Sequence, residues 1–412
     1  MKVLFLPAYY YPETAASSYL GDNLREALCA NECTIELHAP TPTRGISEEE
    51  RIEYCKKKHR YETLFDGKLS IHRFPLFAEN KNPLLRALRY VICWTKQFYY
   101  ALTAKELDCL FLASTPPIQG TIGAFIKCFK QVPFVYNLQD IFPDSLVNNG
   151  LAKKGGVLWK IGRVIENFTY KHADKIIVIS EDFKKNIMAK GVPEEKIVVV
   201  YNWVDQHAVV DIPRDQNKLF DAYGLDRNKF YITYNGNIGL SQNMDMLLEV
   251  AKSLRTNPDI QFVLVGDGAY LDEVKRIVAE NQLDNVHLLP FQPYEDISHV
   301  FSLGDVSLVI SKPGTGAASV PSKTWSIMSA SRPVLANFDE NELKEIVNKH
   351  RCGIFTKAGD KEAFVEGILR LYNDRELCKE YGRNGRQFVM DNLTREVGTG
   401  KYVEVIKSVV KQ

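Results

Sequence analysis

The chain has 412 residues, 45% of them hydrophobic and 25% charged, with 52 Lys and Arg against 51 Asp and Glu. That balance gives no overall attraction to nucleic acid, and the length suggests two or three domains, each burying its own core. The chain opens on a strand-like Val3-Leu4-Phe5-Leu6, read as leaving no room for a signal peptide, and no apolar run approaches the roughly 18 residues of a spanning helix. Eight scattered cysteines with no C-x-x-C pair fit reduced thiols in a cytoplasmic protein.

Strand and helix patterns alternate from the start. The apolar run Val3–Pro7 is followed by helical spacing over Ser18–Ala30 and a strand at Thr34–Ala39. The loop between the first two holds no glycine, so the dinucleotide fingerprint G-x-G-x-x-G is missing where it would stand. Glu13 in this loop is a carboxylate candidate. Arg44–Phe65 is charged and reads as loop or exposed helix. Asn82–Leu102 is an amphipathic helix, with Leu84, Leu88, Val91, Thr95, Phe98 and Leu102 on one face. On the opposite face Arg86, Arg89 and Lys96 line up with Tyr90 and Tyr100. From Lys81 to Lys175 there are 13 Lys and Arg against 6 Asp and Glu. This reads either as a solvated face or as a surface that meets anionic lipid headgroups.

Further strands are expected at Cys109–Ala113, Pro133–Leu138, Lys175–Ser180 and Ile197–Tyr201. The loops Ser114–Gly120 and Gln139–Asp144 follow strand C-terminal ends, the edge at which doubly wound sheets bind ligands. Asp140 and Asp144 are candidates for an acceptor hydroxyl, and Asp144 equally for a helix cap. Asp205–Lys229 is polar and reads as a linker and entry helix. A fresh alternation then begins, with strands at Tyr231–Tyr234, Gln261–Val265, Val286–Pro290, Val306–Ile310, Pro333–Ala336 and Gly353–Thr356. Lys361–Gln412 is helical by pattern. Two successive α/β units predict an α/β fold of two Rossmann-like, doubly wound lobes facing a cleft.

Within the second unit, Ser311–Asn337 runs strand, glycine loop (Gly314, Thr315, Gly316), Pro321-Ser322-Lys323, helix, strand. Backbone N–H groups at a helix start carry partial positive charge and glycines let an anion approach them. The stretch is therefore either an anion seat or an ordinary loop and helix.

Five motifs in register decide between these. They are Tyr201-Asn-Trp-Val-Asp205, Tyr234-Asn-Gly-Asn-Ile-Gly239, Val265-Gly-Asp-Gly268, Val320-Pro-Ser-Lys323 and Arg332-Pro-Val-Leu-Ala336. In this order and spacing the chain resembles a family 4 glycosyltransferase of the two-lobed GT-B fold, in the bacterial capsule and O-antigen branch that includes N-acetyl-L-fucosaminyl transferases. The resemblance implies a lobe of residues 1–204, completed by a C-terminal helix from about 392 to 412, that docks the acceptor. A second lobe, 205–391, would bind the nucleotide sugar. It further implies retaining transfer of a sugar, usually from a UDP donor, to a polyprenyl-diphosphate-linked saccharide, by a cytoplasmic enzyme peripheral to the inner membrane. The donor site would draw on Gly236, Asn237, Gly239, Gln242, Gly268 and Phe291, and on Gly314, Thr315, Gly316, Ser322, Lys323 and Ser326. Asp140, Glu13 and Lys323 are the catalytic candidates, and Arg86, Arg89, Lys96 and Tyr100 the membrane and acceptor face. No D-x-D occurs, so the expectation is an enzyme without metal or other cofactor, in which Lys323 and helix termini take the cation's role.

The chain departs from the family's pattern at identifiable places. Ala318 and Ser326 stand where a pair of glutamates is usual, and Asn237 and Gln242 where an Arg and a Lys are usual. Gln139 takes the place of a frequent His, and Ala15 and Ala16 that of glycines. Two other functions are compatible with these residues: a nucleotide-sugar 2-epimerase, which needs no acceptor, and a catalytically silent assembly partner. Incubating UDP-sugars without acceptor separates the first, and calorimetry with nucleotide the second.

Overall fold

The computed structural model describes residues 1–13, 18–78, 83–148, 152–316 and 320–410. The chain divides into two compact units, Met1–Tyr201 with Gly398–Gln412, and Asn202–Val397. The divisions fall there rather than at 204/205 and 391/392.

The first unit is built on eight strands: β1 (Lys2–Phe5), β2 (Thr34–Pro40), β3 (Tyr61–Leu64), β4 (Leu69–Phe74), β5 (Cys109–Ala113), β6 (Phe134–Leu138), β7 (Lys175–Val178) and β8 (Ile197–Val199). Their order is β3-β4-β2-β1-β5-β6-β7-β8. All pairs are parallel except β3 with β4. The inner strands are near-continuous apolar runs because helices cover both faces of a parallel sheet. Leu4, Leu110, Leu112, Phe134, Ile176 and Val178 form the core of this unit.

The β3–β4 hairpin is absent from the sequence reading, which took Arg44–Phe65 as loop or exposed helix. A helix is present at Glu48–Tyr54, started by a capping box between Ser47 and Glu50. The missed strand is an edge strand whose Tyr61 and Leu64 are exposed, so it carries no buried alternation to read. Asp66 and Gly67, both at positive φ, make the turn into β4.

The second unit holds β9 (Phe230–Asn235), β10 (Ile260–Val265), β11 (Val286–Leu289), β12 (Val306–Ile310), β13 (Val334–Phe338) and β14 (Gly353–Lys357). They form an all-parallel sheet in the order β11-β10-β9-β12-β13-β14. Connections run one way from β9 and the other way from β12, so the switch point lies between those two strands, where open α/β sheets form their crevice. The C-terminal stretch is three helices, Lys361–Asn373, Arg375–Asn392 and Arg395–Val410. Asp360 starts the first and Asp374 separates the first from the second, each accepting from a backbone N–H of the following first turn. In the first unit Tyr402 of the last helix donates its hydroxyl to Asn137 Oδ1 at 3.0 Å.

Candidate functional site

The C-terminal edge of the second sheet is built by backbone meeting backbone. Gly236 leaves β9 at φ 126°, and Gly266 leaves β10 at φ 153°. The two chains are zipped by Gly236 N–H to Val265 O at 2.9 Å and Ile238 N–H to Asp267 O at 2.8 Å. A Cβ on Gly266 would lie 1.9 Å from Gly236 O, and one on Gly268 would lie 2.4 Å from Ile238 O. Both positions therefore need glycine for packing as well as for φ. Gly268 serves the loop's own fit.

Across the switch point, Lys312 N–H donates to Ser241 O at 2.7 Å, tying the loop after β12 to the loop after β9. Thr315 hydroxyl adds bonds to Lys312 O and Ser241 O. The glycine loop is not an open row of donors, however. Asp339, just past β13, accepts from Gly314 N–H at 2.9 Å and from Gly316 N–H at 2.7 Å. Gln242 Oε1 likewise accepts from Gly239 N–H at 3.1 Å. These three N–H groups, expected from sequence to face an anion, are held by acceptors of the chain itself. The reason is geometric: a tight loop brings its N–H groups to one side, and a carboxylate or amide within reach takes them. Asp339 escaped the sequence reading because a lone Asp after a strand carries no signal of its own.

Lys323 is what remains free. It opens the seven-residue helix Lys323–Ser329, and its Nζ stands 3.9 Å from the Tyr234 ring centroid. A Cβ on Gly236 would meet that Nζ at 3.4 Å, so the glycine makes room for the ammonium. Among the described residues Lys323 has no carboxylate partner. Burial lowers its pKa to about 7. Beside it the chain buries polar groups with no hydrogen-bond partner. Both amide atoms of Asn235 at the end of β9, Ser311 Oγ just past β12 and Thr324 Oγ1 are in this state. Buried polar atoms without partners are uncommon, and Asn235 and Ser311 stand at the ends of the two strands that flank the switch point. Asn235 falls inside the motif Tyr234–Gly239 but was not named as a site residue, and the structure extends β9 to include it.

The other expected donor-site residues are placed as follows. Ser322 precedes the helix and is exposed, Ser326 lies one turn into it and is half-buried, and Asn237 is exposed. Tyr234 hydroxyl donates to Asn237 O at 2.6 Å, fixing the loop. Phe291 projects from the same sheet edge, two strands away beyond β11, and is exposed. Ala318, like Ala15, Ala16 and Asn82, lies outside the described residues.

In the first unit the two carboxylate candidates differ. Glu13 is buried and its carboxylate accepts from Thr43 N–H at 2.7 Å, Arg44 N–H at 2.9 Å, Thr43 hydroxyl at 3.3 Å and Tyr10 N–H at 3.3 Å. It pins the loop after β1 to the loop after β2. Asp140 is exposed after β6, with its backbone N–H on Ser114 Oγ at 3.2 Å. Asp144 pairs with Lys190 at 2.7 Å. Gln139 donates to Asn137 Oδ1 at 3.0 Å.

Of the three cations that the sequence reading put on one face of the helix at Pro83–Thr103, only Arg86 is exposed, while Arg89 is buried and Lys96 half-buried. Arg89, Cys93, Gln97 and Ala101 form its buried line. Arg89 donates to Phe77 O and to Thr43 Oγ1, each at 3.3 Å, with its guanidinium 4.7 Å from the Tyr9 ring. Gln97 donates to Pro7 O at 2.8 Å and His38 O at 3.0 Å. Lys96 donates to Pro75 O at 2.8 Å, and Tyr100 stacks on His38 at 4.4 Å. Outward instead are Leu85, Leu88, Val91, Tyr99 and Leu102, together with Arg86. The cause is the carbonyls left free where strands end: Pro7 and Phe77 need donors, and Arg89 and Gln97 are drawn inward to supply them.

Comparison with known proteins agrees with this architecture. Residues 22–207 match the family model described as Glycosyltransferase Family 4, and residues 215–388 match Glycosyl transferases group 1. The chain is 25% identical over 347 residues to the probable glycosyltransferase WbjE of Pseudomonas aeruginosa, covering 82% of this chain and 84% of that one. It is 25% identical over 414 residues to the putative colanic acid biosynthesis glycosyl transferase WcaI of Escherichia coli K12, covering 96% and 98%. Among solved structures, Anabaena Alr3699/HepE in complex with UDP superposes with a TM-score of 0.72 at 18% identity, over 99% of this chain and 100% of that chain. Both halves of the sequence thus match successive halves of one enzyme class, and the chain is a group 1, family 4 glycosyltransferase of the GT-B fold.

Proposed function

We propose that the enzyme moves a sugar from a UDP-linked donor to a polyprenyl-diphosphate-linked saccharide, with retention at the anomeric carbon, in the assembly of a bacterial surface polysaccharide. The reaction would run at the cytoplasmic face of the inner membrane. The observation that carries the donor half is Lys323: an unpaired lysine, partly buried, at the switch point of a parallel sheet. When the anomeric C–O bond breaks, the electron pair leaves with the diphosphate oxygen, and a fixed positive charge there lowers the barrier. Lys323 Nζ supplies that charge, and Asn235 and Ser311, at the ends of the two strands that flank the switch point, with Ser326 one turn along the lysine's own helix, are the hydrogen-bonding groups assigned to the donor. The assignment of UDP is supported by the UDP bound to the HepE relative, and the polysaccharide role by the WcaI relative's name. Asp140 is assigned to the acceptor, since Glu13 is already engaged. No metal or other cofactor is required in this scheme.

Calorimetry tests the donor half. Lys323→Ala should weaken UDP binding by the ~1.5–3 kcal/mol of a hydrogen bond to a charged group, and unchanged affinity would remove Lys323 from the diphosphate site. A panel of nucleotide sugars followed by slow donor hydrolysis, in chelator, identifies the sugar and tests metal independence together. Epimer formation without acceptor would instead favour the epimerase reading.

A further inference from the structure

Three helices of the first unit, Pro83–Thr103, Gly120–Lys130 and Val157–His172, each expose apolar side chains. On the third, Val157, Leu158, Ile161 and Val164 are 75%, 60%, 53% and 69% exposed, and they recur at helical spacing on one stripe. The first helix adds Leu88, Val91 and Leu102, the stripe that the buried Arg89 and Gln97 turn outward. A ladder of rings joins the two. Trp94 and Phe98 of the first helix lie 6.2 and 6.0 Å from Phe125 of the second, and Phe125 lies 5.1 Å from Phe168 of the third. Phe129, 67% exposed, stacks beside Phe125 at 6.3 Å. Soluble monomers rarely leave so extended an apolar surface uncovered.

The charge on this surface has one sign. The three helices contain a single acidic residue, Glu166, which is buried and paired with Arg163 and with Lys190. Exposed Lys160 stands among the four aliphatic side chains, exposed Lys153 and Lys154 precede them, and exposed Arg86 stands on the first helix. A second copy of the chain would bring these cations against themselves. An anionic bilayer would take the aliphatic side chains between its headgroups and leave the lysine ends at the phosphates.

We infer that this three-helix face is a lipid-docking surface for anionic membranes, with the first turns of Val157–His172 as its inserting part. The inference deepens the proposed action on a lipid-linked acceptor and rests on that reading for its purpose alone, because the binding itself needs neither donor nor acceptor.

Flotation with phosphatidylglycerol–phosphatidylcholine vesicles tests it on the full chain. The wild type should float with anionic vesicles, much less with pure phosphatidylcholine, and less as salt rises. The combined Val157→Ser, Leu158→Ser, Ile161→Ser and Val164→Ser variant should lose at least tenfold in vesicle affinity. Lys153→Gln with Lys154→Gln and Lys160→Gln should lose a similar factor on anionic vesicles only. These exposed positions are not expected to disturb folding, and unchanged UDP affinity and circular dichroism would verify that. If the wild type fails to float, if the serine variant floats as well as the wild type, or if the face proves to be a dimer contact that the serine variant abolishes in light scattering, the inference is wrong. Failure of UDP to bind any of these proteins would strike the transferase reading and leave the vesicle result standing on its own.

Discussion

The C-terminal edges of the two sheets are built by different means. At the C-terminal edge of the β9–β14 sheet, glycines let one loop's backbone lie against another, as Gly266 does on Gly236. Lys323 is left without a carboxylate among the described residues. At the same edge of the β1–β8 sheet, polar side chains hold the loops, with Glu13 gathering the N–H groups of Tyr10, Thr43 and Arg44 and Arg89 and Gln97 donating to carbonyls beyond the strands. The lesson concerns how charged residues are assigned. A charge whose hydrogen bonds are spent inside the chain builds the fold. A charge lodged among packed side chains without a partner is the one to test for a ligand.

Five substitutions break or sharpen this contrast. Gly266→Ala should have the largest effect, about 3–5 kcal/mol of stability, because the clash is with backbone and φ lies where L-residues are strained. Denaturant unfolding would show it as a lower midpoint, and a loss under 1 kcal/mol would mean the two loops can part. Glu13→Ala should cost about 3 kcal/mol by leaving several buried N–H groups unpaired, while UDP affinity stays as in the wild type. A variant of normal stability that is slow in turnover would return Glu13 to the acceptor site.

Glu36→Gln should cost about 1–2 kcal/mol at neutral pH, discounted for partial exposure. Its hydrogen bond from His38, helped by Lys2, holds the carboxyl at about 2 against the usual 4.5. The folded-state value is depressed, so the stabilisation is present above about pH 4.5 and is lost as pH falls towards 2. The wild type should therefore lose more stability than the variant across that interval, and parallel acid curves would refute the assignment. Arg86→Gln should be smallest, within about 0.5 kcal/mol, whereas Arg89→Gln should destabilise clearly, since it removes buried donors. Equal effects from the two would mean that the helix faces are not as described.

Much of the fold was legible because buried parallel strands separated by amphipathic helices leave strong periodic signals. The glycines after β9 and β10 stood out because strict backbone demands restrict residue choice, and Lys323 because it belongs to the motif Val320–Lys323. The face of the Pro83–Thr103 helix was not legible. It carries an apolar stripe and a polar stripe, and periodicity reports their existence without saying which one the sheet needs. That need is set by carbonyls at Pro7, His38 and Phe77, which reach the helix from distant parts of the chain. Asp339 and Asn235 were missed on similar grounds, since their environment is created by neighbouring strands rather than by adjacent sequence.

The central claim is that Lys323 waits at the donor site for a diphosphate. Titration calorimetry of UDP between pH 7.5 and 8.5, in buffers of different ionisation heat, addresses it directly. With the lysine near pKa 7 when unliganded, it is mostly neutral at pH 8.5, and the bound diphosphate should draw a proton onto it. The account predicts uptake approaching about one proton per UDP as pH rises, with falling affinity, both absent in Lys323→Ala. Proton-neutral binding of equal strength across that range, or the same uptake in Lys323→Ala, would contradict it.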